Sequence, residues 1–323
     1  MSDPAHFSYV FNRGYAFPSL VSLSSLLRQS RKGCDVLLLT DCAVPRFKAA
    51  LDCLRERHPE SRINLVEDPT LPSADHPLAH KVRLQNFWQL SLYKILPRKS
   101  LAIDGDTLVM EDPVEAYETP LGQHAIAAAP DYHFQDLYYR KRYYRRFYPF
   151  EQNKWRDIPA ILCKSKRDIP LRHYCNNGIV LIDMPKLRAT GWADRLCDLD
   201  TCLSTKLEKG WEHNDQDWMN FMFAGRIAPM SLRWNFQIML IVPSRTRKRY
   251  TPRHMRKDYK DGFARPGILH FAGDRKPWRD METDTDLNTL HREAFLHWRK
   301  EAERLSEETG MDIRHLCNDP LAA

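Results

Sequence analysis

Residues 101–109 read Leu101-Ala102-Ile103-Asp104-Gly105-Asp106-Thr107-Leu108-Val109. A short apolar run meets two acids two positions apart, and a second apolar run follows. Two carboxylates at i and i+2 beyond a buried strand can converge on one hard divalent cation if the backbone turns between them, and Gly105 removes the steric bar to such a turn. The competing reading is a strand-end turn with two solvated aspartates. The surrounding sequence has to decide between the two.

On the N-terminal side, apolar runs at Phe7–Val10, Val36–Leu39 and Ile63–Val66 read as strands. Helical patterns at Ser19–Gln29 and Arg46–Arg57 separate them. Lys81–Leu96 predicts a helix with Phe87, Leu90, Tyr93 and the stem of Lys94 on its apolar face, stopped by Pro97. On the C-terminal side, Ile126–Ala129 and Ile179–Ile182 predict further strands. Short strands alternating with helices of this length indicate βαβ units and a mostly parallel sheet. Ligands of such sheets sit at the carboxyl ends of the strands, where Asp104 and Asp106 fall.

The 323 residues include 43% hydrophobic and 11% aromatic residues, enough for one large core and too apolar for a disordered or low-complexity chain. The richest apolar stretch, Gln237–Val242, is far shorter than the roughly 20 residues of a membrane-spanning helix. Met1-Ser2-Asp3-Pro4 starts no basic-then-apolar signal segment, so a cytoplasmic location is expected. The eight cysteines contain no Cys-x-x-Cys pair, which argues against a zinc ribbon or a dithiol redox site. Reduced, mostly buried thiols are expected instead. A net charge of +7 admits an anionic partner without choosing among nucleic acid, anionic lipid and a phosphorylated small molecule.

Five further blocks, in order, give the acid pair its context. They are Phe11-Asn12-Arg13-Gly14-Tyr15, Asn176-Asn177-Gly178-Ile179-Val180, Asn214-Asp215-Gln216 followed by Asn220, Trp234-Asn235, and Leu269-His270-Phe271-Ala272-Gly273-Asp274-Arg275-Lys276-Pro277-Trp278. With Asp104-Gly105-Asp106, this arrangement resembles the family-eight retaining glycosyltransferases, the glycogenin and galactosyltransferase group. The last block, similar to the family's His-Phe-x-Gly-x-x-Lys-Pro-Trp signature, is the most specific. The likeness runs from about Phe7 to Trp278. Gly105 stands where the family has a small apolar residue, and Asn177 where it has Ser.

The resemblance implies an α/β fold of GT-A (Rossmann-like) type with a mostly parallel central sheet. It also implies a UDP-sugar donor, glucose or galactose, transferred to an acceptor hydroxyl with Mn²⁺ or Mg²⁺. Residues 1–281 are then the glycosyltransferase domain and 282–323 a C-terminal helical extension. The acceptor stays open: a glycan, a lipid-linked sugar, or a protein, including the enzyme itself. Asp104, Asp106 and His270 are the expected metal ligands, since an imidazole completes a mixed N/O set suited to Mn²⁺. Phe11, Asn12, Tyr15, Gly105, Asn176, Asn177 and Gly273 are expected around the donor, with Tyr15 stacking on a flat base and Asn12 bonding its edge. Lys276 can neutralise charge on a departing diphosphate. The basic residue that commonly precedes the metal strand is Lys81 or Arg83, and spacing does not settle which. Amides make poor nucleophiles, so front-face displacement is favoured, with Gln216 as transition-state stabiliser. Asp215 is the candidate if a covalent intermediate forms.

Three segments remain. Tyr132–Phe150 interleaves aromatics with arginines and is expected over the site mouth or, equally, as a helical packing arm. Pro243–Lys260 reads as a basic loop, and Asp284–Glu308 as an amphipathic helix carrying Leu287, Leu290, Phe295, Trp298 and Leu305. The basic segments allow peripheral contact with an anionic membrane surface. A nucleic-acid-binding protein without transferase activity is the alternative, but it leaves the acid pair, the His-Gly-Lys block and the Asn-Asp-Gln block unexplained. A phosphohydrolase of the haloacid dehalogenase type would carry one more residue between its second Asp and Thr; here Thr107 follows Asp106 directly. A catalytically idle scaffold does not need Asp104, Asp106 and His270 together.

Overall fold

The computed structural model describes residues 4–41, 43–73, 75–147, 168–238, 252–279 and 289–311. Its strands are β1 (His6–Val10), β2 (Asp35–Thr40), β3 (Arg62–Glu67), β4 (Ser100–Ile103), β5 (Thr107–Val109), β6 (Ile126–Pro130), β7 (Cys175–Ile182), β8 (Ile227–Pro229), β9 (Phe236–Gln237) and β10 (Ile268–His270). Seven form one sheet in the order β3-β2-β1-β4-β7-β6-β8, and the other three a small sheet, β5-β10-β9. In the large sheet only β7 runs against the rest, pairing antiparallel with β4 and β6. The expected mostly parallel sheet is therefore present.

The strands at the centre of this sheet are apolar on both faces because helices cover both. The helices are α1 (Ala16–Gln29), α2 (Pro45–Arg57), α3 (Gln89–Ile95), α4 (Val114–Tyr117), α5 (Tyr132–Phe147), α6 (Met184–Ala189), α7 (Trp192–Leu196), α8 (Leu199–Lys209), α9 (Asn214–Met222), α10 (Arg253–Ala264) and α11 (Thr289–Thr309). Strand alternation divides the interior: Leu101, Ile103, Ile179 and Leu181 face a core shared with α1, α2 and α11. Ala102, Val180 and Ile182 face a second core shared with α3 and α6–α9.

Helix α1 is buried from Phe17 to Leu27, including four serines that a solvent-facing helix would not bury. Two of them hold the small sheet in place. Ser25 Oγ accepts from the Val109 backbone N at 2.9 Å, and Ser22 Oγ and Thr107 Oγ1 share a hydrogen bond of 2.6 Å. Ser24 donates to Glu301 of α11, which also pairs with Arg28. Phe295, Trp298 and Leu305 of α11 are buried as expected, and Trp298 meets Phe17 edge-on with ring centroids 6.0 Å apart. Leu287 and the side chain of Leu290 lie outside the described residues.

Three segment readings need correction or completion. The helix expected over Lys81–Leu96 spans only Gln89–Ile95, after a 3₁₀ turn at Leu84–Phe87; Lys94 is exposed, not on the apolar face. Arg253–Lys260 lies in α10, not in a loop, with Met255 buried toward the core; 243–251 lie outside the described residues. Of Tyr132–Phe150, the described part is α5. Its first turn packs inward through Tyr132 and Phe134, whereas Arg142, Arg145, Arg146 and Phe147 are exposed. Burial comes from the end attached to β6, so the segment is a packing arm.

Cys34, Cys53, Cys175, Cys197 and Cys202 are free thiols, three of them buried. Burial pushes Cys34 up to about 11 and Cys175 to about 12, which makes them inert at neutral pH. Cys42, Cys163 and Cys317 lie outside the described residues. Among the described residues, no helix is long and apolar enough to cross a membrane.

Candidate active site

The chain leaves the large sheet at Ile103 and enters the small one at Thr107, and the acid pair occupies the crossing. Asp104 N donates to Gly178 O at 2.7 Å, tying the crossing to β7. On the far side, β5 pairs antiparallel with β10, placing His270 opposite Thr107, and Phe271 N donates to Asp106 O at 2.9 Å. Sheet register thus delivers the imidazole to the acids. His270 Nε2 stands 3.4 Å from Asp106 Oδ1 and 3.8 Å from Asp104 Oδ2, and the three ligand atoms lie within 4.8 Å of one another. Two carboxylate oxygens and one imidazole nitrogen at this spacing form a donor set fit for Mn²⁺ or Mg²⁺.

Two glycines make the approach possible. A Cβ on Gly178 would stand 2.2 Å from His270 Cε1 and 3.0 Å from Asp104 Oδ2. A Cβ on Gly105 would meet Ser19 Oγ at 2.1 Å, so the departure from the family's small apolar residue reflects close packing on α1. Gly273, with φ of 94°, turns the chain after β10 so that buried Lys276 returns to the acids. Lys276 Nζ donates to Asp106 Oδ2 at 2.6 Å and to Phe271 O at 2.7 Å.

The two acids differ in charge behaviour. Burial, then the nearby Asp106 and Asp215, pushes Asp104 well above the usual carboxylate range. Burial would also raise Asp106, but the Lys276 ammonium and then His270 override it and hold its carboxyl well below that range. Asp106 is the more anionic partner and Asp104 the one that a further cation would ionise.

A cavity of about 360 Å³ opens above this floor. Phe11, Asn12, Tyr15, Asp104, Gly105, Asp106, Asn177, Asp215 and Gln216 line it, bringing together most of the residues singled out in the sequence. Phe11 also packs on Phe47, and Asn12 Oδ1 caps the turn at Arg13–Tyr15, which leaves its amide group to read a base edge. Tyr15 meets Trp278 edge-on at 5.9 Å, and Trp278 packs on Trp298, the packing role expected of it. Lys81 and Arg83 are exposed and absent from this wall, because the shortened helix leaves them in the preceding turn. Gln85, Asn86 and Gln89 from the same stretch line it instead.

Asn214, a non-glycine residue at φ of 48°, opens α9 and presents Asp215 to the cavity. Burial pushes Asp215 up to about 7, with a bond from Asn177 acting in the opposite direction. Asn177 also meets Gln89 twice at 2.9 Å: its backbone O accepts from Gln89 Nε2, and its side-chain Nδ2 donates to Gln89 Oε1, a bond a shorter serine would not reach. Behind the wall lies a set of buried amides. Asn235 Oδ1 is 2.8 Å from His270 Nδ1, and Asn235 Nδ2 donates to Asn176 Oδ1 at 2.8 Å. Asn176 Nδ2 donates to Gln216 Oε1 at 3.0 Å, and Gln216 Nε2 to Asp131 Oδ2 at 3.1 Å. Asp131, Glu212 and His213 were missed in the sequence. Asp131 follows directly on the Ile126–Pro130 strand, and an acid at a strand's carboxyl end was a usable signal.

Comparison with known proteins gives the fold and the family. The structure of the galactosyltransferase LgtC in complex with donor and acceptor sugar analogs is 19% identical with a TM-score of 0.60, and the match covers 94% of this chain and 95% of that one. The apo WbbM bifunctional glycosyltransferase is 16% identical with a TM-score of 0.66, covering 95% of this chain and 52% of that one. The fold is thus the GT-A fold of these solved glycosyltransferases. The model of glycosyl transferase family 8 matches residues 6–282, and the chain belongs to that family. A probable galacturonosyltransferase-like 5 of Arabidopsis thaliana is 25% identical over 236 residues, 72% of this chain and 57% of that protein. General stress protein A of Bacillus subtilis is 23% identical over 205 residues, 62% of this chain and 58% of that protein. The chain spans a little over half the length of these curated relatives.

Proposed function

We propose that the protein is a metal-dependent retaining glycosyltransferase that moves a hexose from a UDP-sugar to an acceptor hydroxyl. The observation that carries this is the charge of the cavity. Four carboxylates, Asp104, Asp106, Glu212 and Asp215, line it, and among the described residues no Lys or Arg does. A nucleotide diphosphate meets net repulsion in such a wall unless a divalent cation sits on the Asp104–Asp106–His270 set. When bound there, the ion supplies charge stabilisation to the leaving diphosphate. Lys276, fixed behind Asp106, adds a second positive centre on the same side.

Tyr15 and Asn12 on the cavity wall are suited to an aromatic base. Asn177, Asp215 and Gln216 are suited to sugar hydroxyls and to the front-face course expected from the sequence. The sugar is glucose or galactose, as the family resemblance implies. Residues 1–281 carry this chemistry in our reading, and 282–323 form an extension whose helix α11 buttresses α1. The acceptor is a glycan, a lipid-linked sugar or a protein; the exposed arginines of α5 support an anionic or membrane-borne one. We assign the protein to the cytoplasmic side of such a surface.

The test is UDP binding and donor hydrolysis across a panel of nucleotide sugars, with and without Mn²⁺. UDP-hexose turnover that needs the ion is the expected result. Equal UDP binding in chelator would contradict the metal role, and salt-sensitive RNA or DNA binding without any response to UDP-sugars would favour the nucleic-acid alternative.

A further inference from the structure

The buried amides behind the cavity form a chain whose direction is set by backbone donors. A backbone N–H can only donate, so each one that lands on a side-chain oxygen identifies that atom. Gly178 N donates to Asn176 Oδ1 at 2.9 Å, so this atom is the carbonyl oxygen. The group that Asn235 turns toward it must then be the amide Nδ2, leaving Asn235 Oδ1 against His270 Nδ1. A carbonyl oxygen can only accept, so Nδ1 carries the proton. In the neutral ring, the form that ligates a metal, the lone pair of His270 is thereby on Nε2, the atom that faces Asp104 and Asp106.

The same reasoning runs the other way. Asn177 N donates to Gln216 Oε1 at 3.3 Å, which also accepts from Asn176 Nδ2. Gln216 must therefore present Nε2 to Asp131 Oδ2, while Asp131 Oδ1 accepts from Phe134 N at 3.3 Å. Asp131, Asn176, Gln216, Asn235 and His270 are all buried, so water does not compete for these bonds.

We propose that Asn235 and Asp131 are positioning residues at the two ends of one hydrogen-bonded rail. The rail holds His270 in its Nδ1–H tautomer and fixes the Gln216 amide in the same stroke. The metal ligand and the amide on the cavity wall are then oriented as one unit rather than separately. Such a role for Asn235 rests on the metal reading above; the tautomer follows from hydrogen bonding alone.

Mn²⁺ affinity measured by titration calorimetry on the whole chain tests the rail. Asn235→Leu removes the acceptor and is expected to weaken Mn²⁺ binding by about 10–100-fold. Asn235→Asp keeps an oxygen for Nδ1–H but turns its other oxygen toward Asn176 Oδ1, so it should weaken Mn²⁺ binding clearly less than Asn235→Leu does. Asp131→Asn leaves one oxygen where two are used, so it should weaken Mn²⁺ binding several-fold alone and add nothing in the Asn235→Leu background. The ¹⁵N spectrum of His270 in the Zn²⁺-loaded protein should report a protonated Nδ1. Unchanged affinity in Asn235→Leu, equal losses in Asn235→Leu and Asn235→Asp, or multiplying losses for the Asp131 pair would overturn the rail. So would a protonated Nε2 in wild type. If Asn235→Leu does not fold, the Asn235→Asp and Asp131→Asn affinities and the wild-type spectrum still decide. Absence of Mn²⁺ binding by wild type would instead overturn the metal reading itself.

Discussion

Strand β5 has an acidic cleft at each end, and the two behave differently. At its start, Asp104 and Asp106 converge with His270 under a cavity of about 360 Å³ with no Lys or Arg among its described lining residues. Past its end, Glu111, Asp112, Glu115 and Glu118 line a larger cleft of about 520 Å³ together with Arg31 and Arg265. There Glu111 pairs with Arg233 and Arg265, and Glu115 pairs with Arg233 at 3.1 Å. Size and acidity point to the second cleft; the arrangement of charge points to the first. A site for a cation needs carboxylates left to converge, and arginines already pair Glu111 and Glu115 of the second cleft.

The contrast is broken most directly at the first cleft. Asp106→Asn or Asp104→Asn should lower sugar transfer on the order of 10³-fold or more, the equivalent of several kcal/mol of lost charge stabilisation. Initial rates on the UDP-sugar found active would show this, with Mn²⁺-dependent UDP binding lost in parallel and the circular dichroism spectrum kept. Lys276→Met leaves Asp106 buried without its ammonium, and the metal-free protein should lose about 3–5 kcal/mol in denaturant melts. Gly178→Ala drives a methyl group into the imidazole; we expect a stability loss of about 1–3 kcal/mol and an Mn²⁺ affinity about 10–100-fold weaker.

A smaller effect is expected from Asp215. Its carboxyl is raised to about 7 from an ordinary value of 3.8, so the folded state holds a proton that the unfolded chain has already released between these values. Stability of the metal-free protein should therefore lose the Asp215 share as pH rises from about 4 to about 7, beside the share of the likewise raised Asp104, and Asp215→Asn should make that slope shallower. A slope unchanged in the variant would place the titration elsewhere. The smallest effect sharpens the comparison from the other side: Glu115→Gln, in the arginine-paired cleft, should leave transfer unchanged and stability within about 0.5 kcal/mol.

Much of this was legible along the chain. Val36–Leu39, Leu101–Ile103 and Ile179–Ile182 are apolar enough to be buried on two faces, so they declared a covered α/β sheet and put Asp104 at a strand's carboxyl end. Lys81–Leu96 misled because its apolar spacing suits a helix, while the side chains that face the cavity, Gln85 and Asn86, sit in a turn that spacing does not reveal. Pro243–Lys260 misled in the other direction. Arg253, Lys257 and Lys260 are exposed, yet they belong to α10, where Met255 is buried and Gly262, just past the segment, packs on Arg233 and Phe236.

The amino-acid order alone determined the parallel strands, the acid pair, the imidazole block and the amide blocks, because local patterning and residue chemistry are written in the chain. The tertiary structure decided which of them meet and which atom each presents. Pairing of β5 with β10 carries His270 to Asp106, and Gly178 leaves room for the ring. Backbone N–H groups of β7 then choose the direction of the Asn176 and Gln216 amides, and through Asn176 that of Asn235, a choice that exists only once the strand has its partners.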